Sequence, residues 1–173
     1  MLRNTLTAAF LAAPVLALAA APGPLTVTES VDIKASPAAV WSALKDFDSL
    51  DKWHPGFAKD ELVKGKNNQP GAVRKLTIKD GPSFTEELLK FNEHAHSFSY
   101  RIIESPLPIT GYKSTVTVKA GKDGMTTVTW VGHFKRKNPA DKPPEAESDA
   151  GATQLITGVY QGGLNNLKKK LEG

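Results

Sequence analysis

Apolar and polar residues alternate along "LTVTESVDIKA", Leu25 to Ala35. Val27, Glu29, Val31 and Ile33 fall on one side and Thr26, Thr28, Ser30, Asp32 and Lys34 on the other, the two-residue period of a strand. The period then changes. In "SPAAVWSALKDF", Val40, Trp41, Leu44 and Phe47 recur at helical spacing. Ser36 precedes them as an N-cap, and Pro37 takes the first helical position, where its missing N–H is no loss. A second helical turn over Asp48–Trp53 stops before Pro55, because proline pushes the preceding residue out of the helical region.

From Phe57 to Arg136 the pattern is strand-like throughout. It predicts strands over Ala58–Lys64, Ala72–Ile78, Phe84–Phe91, Ser97–Ile103, Tyr112–Ala120 and Met125–Lys135. "GKNNQPG", "KDGPS", "NEHAH", "ESPLPITG" and "GKDG" separate them as turns, and Lys122-Asp123-Gly124 suits a tight hairpin. After the polar loop Asn138–Ser148, Leu155, Ile156, Val159, Tyr160, Leu164, Leu167 and Leu171 stripe a long amphipathic helix from about Asp149 to Leu171. The order is strand, two short helices, six strands, long helix. A sheet of antiparallel strands needs a cover for one face and one long helix is available, so the fold class is α+β.

Alternation also assigns faces. Tyr112, Ser114, Val116 and Val118 go inside together; Arg74, Leu76 and Ile78 share a face, as do Tyr100 and Ile102. In Thr127–Lys135 two assignments stay open. Alternation favours Val128, Trp130, Gly132 and Phe134 for the core, while alignment to the family named below would turn Val131 and His133 inward. Gly162 and Gly163 each weaken the long helix by about 1 kcal/mol relative to alanine. They leave room either for close helix–sheet approach or for a cavity.

The first segment, "MLRNTLTAAFLAAPVLALAA", is of another kind. A lone Arg3, an apolar run from Leu6 to Leu18 and small residues beyond it form the layout of a secretory signal peptide. Cleavage after Ala19 fits best, giving a leader over 1–19 and one domain over 20–173. An uncleaved anchor is the other reading, but Pro14 interrupts the run and no stop-transfer charge cluster follows. Export without a single cysteine leaves no disulfide to supply stability, so a compact core in a periplasm is expected, with no stable membrane insertion after cleavage. Loss of Arg3 takes the net charge from +4 to +3, too mild an excess to argue for nucleic acid.

Candidate chemistry is sparse. His54, in "DKWHPGF", reads either as a general base with Asp51 near it or as part of a stiff corner whose bulky anchor is Trp53. His94 and His96 would share one side of a strand in metal-ligand spacing, but "NEHAH" reads as a turn without a third ligand. An inward Arg74 demands a carboxylate, since an unpaired buried charge is very costly. Glu86 on the next strand is the candidate, as a structural ion pair or as a ligand-anchoring pair. No phosphate loop, cofactor signature or metal cluster is present in the sequence.

"SPAAVWSALKDFDSLDKWHP", "GAVRKL", "TEELL", "SYRIIESPLPITGYKSTVTV" and "TTVTWVGHF", in this order, resemble the START-like SRPBCC superfamily over about Thr26 to Glu172. This includes polyketide cyclase/dehydrase-like proteins, birch-pollen-allergen relatives and plant abscisic acid receptors. The resemblance implies a helix-grip fold: a curved seven-stranded antiparallel sheet gripping the C-terminal helix around a cavity for hydrophobic ligands. It places Lys59 where receptor relatives face a ligand's acid group, and Glu86, Tyr112 and Ser114 at polar pocket positions. With them Arg74, Leu76, Ile78, Tyr100, Ile102, Tyr160 and Gly163 are expected to line the cavity. Trp53, His54, Pro106 and Pro108 are expected at its mouth, with "KDGPS" and "ESPLP" as entrance loops, although the receptors' own gate sequence is absent. "SPLPI" and "GYKSTV" are similar to MxaD-type periplasmic accessory proteins of methanol oxidation. That likeness implies a helper of a periplasmic dehydrogenase or c-type cytochrome, and the lack of a convincing nucleophile, metal cluster or phosphate loop favours a non-enzymatic protein, one that binds a small hydrophobic molecule or acts as such a helper. The alternative is a cyclase or dehydratase using His133, Glu86 and Tyr112.

Overall fold

The computed structural model describes residues 22–173. The leader reading falls on residues outside that span. β1 (Leu25–Ile33) is followed by α1 (Pro37–Leu44) and α2 (Leu50–Trp53), then by β2 (Phe57–Lys64), β3 (Val73–Ile78), β4 (Ser83–Asn92), β5 (Ser97–Glu104), β6 (Ile109–Ala120) and β7 (Thr126–Arg136). A single 3-10 turn at Glu145–Glu147 precedes α3 (Asp149–Glu172). All seven strands form one sheet, ordered β1-β7-β6-β5-β4-β3-β2, with every pairing antiparallel. The expected α+β helix-grip architecture is the one observed.

The local signals act as read. The Ser36 hydroxyl accepts the Ala39 N–H, with Pro37 opening α1. Asp123 and Gly124 turn the β6–β7 hairpin at φ 54° and 74°, the positive-φ pair that matches the twist of the flanking strands. β2 to β7 run as a meander. α1 and α2 carry the chain from β1 at one edge to β2 at the other.

Register shifts interrupt the ladder near Ala58 in β2, Leu89 in β4 and Gly111 in β6. An extra residue on one strand bends it and increases its twist, which curves this sheet toward α3. The helix leans on β1, β7 and α2. Its buried residues are Ala152, Ile156, Tyr160, Gly163, Leu164 and Leu167. The core beneath is aromatic-rich, with Phe47, Phe98, Tyr100, Tyr112 and Trp130 all buried. No helix among the described residues is long and apolar enough to cross a membrane.

Candidate functional site

Because α3 leans toward the β1–β7 side, the concave face of β3–β5 is left partly uncovered. A cavity of 630 Å³ lies there, walled by Leu76, Ile78, Phe84, Glu86, Tyr100 and Ile102 from the sheet, Tyr112 and Trp130 beyond them, and Ile156, Val159 and Gly162 from α3. Leu50 and the corner His54–Phe57 close one end, and Leu107 stands in the loop opposite. The wall is apolar except for a floor of Glu86, two phenols and one indole, with His54 at the corner and Gln154 on α3, the usual make-up of a small-molecule site.

Glu86 belongs to a buried charge cluster. Arg74 Nε and Nη2 donate to Glu86 Oε2 at 2.9 and 2.6 Å, so the carboxylate expected for Arg74 is the one it finds. A second carboxylate, Asp60, lies 3.3 Å from Nη1, and Nη1 also donates to the Phe47 carbonyl at 2.6 Å. The three side chains are 3%, 5% and 0% exposed for Arg74, Glu86 and Asp60. The guanidinium carbon lies 4.2 Å from the Phe47 ring centroid and 5.2 Å from that of Tyr100. Asp60 Oδ2 also accepts the Leu50 N–H at 2.9 Å and so ties the start of α2 to β2. Burial pushes Glu86 up to about 7 and Asp60 up to about 6, against the pull of Arg74. Burial acts to lower Arg74 as well, but Glu86 and Asp60 outweigh it and hold it above its ordinary value. One guanidinium cannot neutralise two buried carboxylates, so a proton shared between them is the natural state near neutral pH.

The phenols form a directed chain. Ser114 Oγ donates to the Val131 carbonyl at 2.8 Å. Tyr160 must therefore donate to Ser114 (3.0 Å), and Tyr112 to Tyr160 (2.6 Å). Trp130 Nε1 donates toward both Tyr100 Oη and Ser114 Oγ at 2.9 Å. Burial raises all three tyrosines above their ordinary range, so they stay protonated. Gly132 makes the chain sterically feasible: a Cβ there would lie 3.1 Å from Tyr160 Cζ and overlap the hydroxyl.

His54 is a corner residue. Its Nε2 donates to the Val159 carbonyl of α3 at 2.7 Å, and its Nδ1 accepts the Gly56 N–H at 3.0 Å. Both ring nitrogens are committed, which fixes the neutral tautomer and leaves no free base. Burial lowers its pKa in the same sense.

Several expected positions lie elsewhere. Lys59 is a correction: its side chain is 60% exposed and pairs with Glu61 at 2.7 Å. The register shift between Phe57 and Lys59 inserts one residue, which turns Phe57 and Asp60 inward and Lys59 out. His133 is also outside. Val128, Trp130, Gly132 and Phe134 are buried in β7, with Thr126 and Arg136 at its ends, and the exposed His133 ring is hydrogen-bonded to Thr26 Oγ1 at 3.0 Å. Thus His133, Glu86 and Tyr112 do not converge, and no acid–base site forms from them. Arg74, Ser114 and Tyr160 sit behind the wall rather than in it. Trp53 is packed against Trp130, with ring centroids 5.7 Å apart. Gly163 marks close approach to Trp53 and His54, while its neighbour Gly162 lines the cavity. Pro106 and Pro108 border a separate shallow hollow, with Leu107 between them reaching the cavity. His96 adopts φ 46° and stacks on Trp41. No metal-ligating group of three was found among the described residues.

Asp60, Phe57, Phe84 and Leu107 lie outside the set expected from the sequence, as do the wall residues Trp130, Ile156 and Val159. Phe84 was legible, being two residues before Glu86 on the same strand face. Asp60 and Phe57 were hidden by the bulge.

Residues 24–172 match the family described as polyketide cyclase / dehydrase and lipid transport. The abscisic acid receptor PYL10 of Arabidopsis thaliana is 27% identical over 139 residues, covering 78% of this chain and 73% of the receptor. Among solved structures, the protein XoxI of Bacillus cereus superimposes with a TM-score of 0.75 at 32% identity, covering 85% of this chain and 95% of its own. Ara h 8.0201 superimposes at 0.66 with 21% identity, covering 87% and 99%, a likeness of fold alone.

Proposed function

We propose that this chain, which belongs to the polyketide cyclase / dehydrase and lipid transport family, is a non-enzymatic binder of a small hydrophobic molecule. The observation that carries this reading is the 630 Å³ cavity with its apolar wall and small polar floor. The relative named as an abscisic acid receptor supports a ligand-holding role for such a cavity. Against chemistry on the ligand stand the committed nitrogens of His54, the protonated tyrosines and the outward His133.

The leader-like first 19 residues support action in a periplasm, where the fold must stand without disulfides. There the likeness of "SPLPI" and "GYKSTV" to MxaD-type proteins supports an accessory role beside a methanol dehydrogenase and its cytochrome. Native mass spectrometry of the protein purified from its own host tests the binding reading. One small-mass adduct is expected, lost in Gly162→Phe, whose ring would occupy the cavity. A bare mass, together with no uptake of a hydrophobic dye, would overturn it. Co-purification of a dehydrogenase or cytochrome supports the accessory role; its absence at low salt argues against it.

A further inference from the structure

The hydrogen-bonding inventory of the cavity is one-sided. Among the described residues, no lysine or arginine lines it. The lysine expected to face a ligand's acid group, Lys59, is turned to solvent by the β2 bulge. Arg74 is spent on Glu86, Asp60 and the Phe47 carbonyl, behind the wall. The Tyr112 hydroxyl proton points to Tyr160 and the Trp130 N–H to Tyr100 and Ser114. His54 N–H is held by Val159. The Tyr100 hydroxyl proton is left with the Tyr112 oxygen at 3.4 Å, and Gln154 of α3 is an exposed, neutral amide that both donates and accepts; the buried group that remains is an acceptor. Both Arg74 bonds land on Glu86 Oε2, leaving Oε1 of this wall residue for an occupant. Above pH 7, once the shared proton has left Glu86, the cluster holds two ionised carboxylates to one guanidinium, so an added anion meets like charge and an added donor does not.

Resting on the binding reading above, we propose that the cavity takes an apolar molecule whose single polar head donates hydrogen bonds, a hydroxyl or an ammonium, seated on Glu86, and rejects molecules headed by a carboxylate. The bulge at Ala58 is the structural cause, because it turns outward Lys59, the cation that the family resemblance would have put in the cavity.

Displacement of bound Nile red by decylamine, decanol and decanoate at pH 8, where Glu86 is ionised, tests this on the mature protein. Decylamine and decanol are expected to displace the dye at concentrations at least about tenfold below decanoate, since like charges placed side by side disfavour binding. Glu86→Gln should abolish the preference for the amine. That variant strands Arg74 and could fail to fold, so Ile102→Lys serves beside it. Ile102 is the cross-strand partner of Glu86 and is half-buried, so a lysine there can satisfy Oε1 and reverse the order toward decanoate while far-UV circular dichroism stays native. Decanoate matching decylamine on the unaltered protein, or an unchanged order in Ile102→Lys, overturns the head-group assignment. Failure of the dye itself to bind overturns the cavity reading and this inference with it, a result distinct from the first.

Discussion

Two adjacent glycines in α3 face different surroundings, and substituting each by alanine separates helix propensity from packing. A Cβ on Gly162 would stand 4.0 Å from His54 Cε1, an ordinary contact. Gly162→Ala should therefore keep the full propensity gain of about 1 kcal/mol. A Cβ on Gly163 would come within 2.5 Å of His54 Cδ2 and 3.1 Å of Trp53 Cζ3. The same propensity gain is then set against overpacking of about 1–3 kcal/mol. Displacing the His54 ring would also weaken its bond to Val159, worth about 1 kcal/mol. Gly163→Ala should fall below wild type by about 1–3 kcal/mol, and the two variants should differ by about 2–4 kcal/mol. At about 2–4 °C per kcal/mol for a domain of this size, Gly162→Ala melts a few degrees higher and Gly163→Ala several degrees lower. Urea unfolding followed by tryptophan fluorescence, with thermal melts beside it, measures both. Equal stability of the two variants, or Gly163→Ala above wild type, would refute the placement of His54 and Trp53 against the helix.

Arg74→Leu should cost about 3–5 kcal/mol, because it strands two buried carboxylates; the loss should be smaller at pH 5 than at pH 8, where neither can be neutralised by a proton, and a pH-independent loss would count against the cluster. Glu86, raised to about 7, and Asp60, raised to about 6, hold protons in the fold that the unfolded chain releases, so their contribution is complete below the ordinary carboxylate range and fades as pH rises through 6 and 7. Unfolding free energy measured from pH 5 to 8 should have a flatter profile in Glu86→Gln than in wild type, and an unchanged slope would sink the assignment. His54 acts in the opposite sense: its lowered pKa makes the fold lose stability as pH drops below 6.5, and His54→Gln should remove that part of the acid limb in the same titration. Tyr160→Phe takes the acceptor from Tyr112 and the donor from Ser114, and chemical denaturation should show a loss of about 1–3 kcal/mol.

Much of this arrangement could be read along the chain. Strand and helix periods located every element to within a few residues, because each period reports which face of a short segment meets apolar neighbours. The same alternation turned Arg74 inward, and burial chemistry then demanded a carboxylate, for which Glu86 on the next strand was the candidate and is the partner found. In β7 it favoured Trp130 over His133, as observed. The failures come where one residue breaks the period. The extra residue at Ala58 reverses the faces of β2, so Lys59 leaves the cavity and Asp60 enters the core. Gly162 and Gly163 look alike in sequence, yet the position of His54 makes one a cavity wall and the other a packing contact. The phenol chain joins α3 to β6 across 46 and 48 residues of sequence, and its proton directions follow from one carbonyl on β7. Local pattern carries the fold because burial acts on segments; the head group the cavity can accept depends on which distant donors and charges have already satisfied one another.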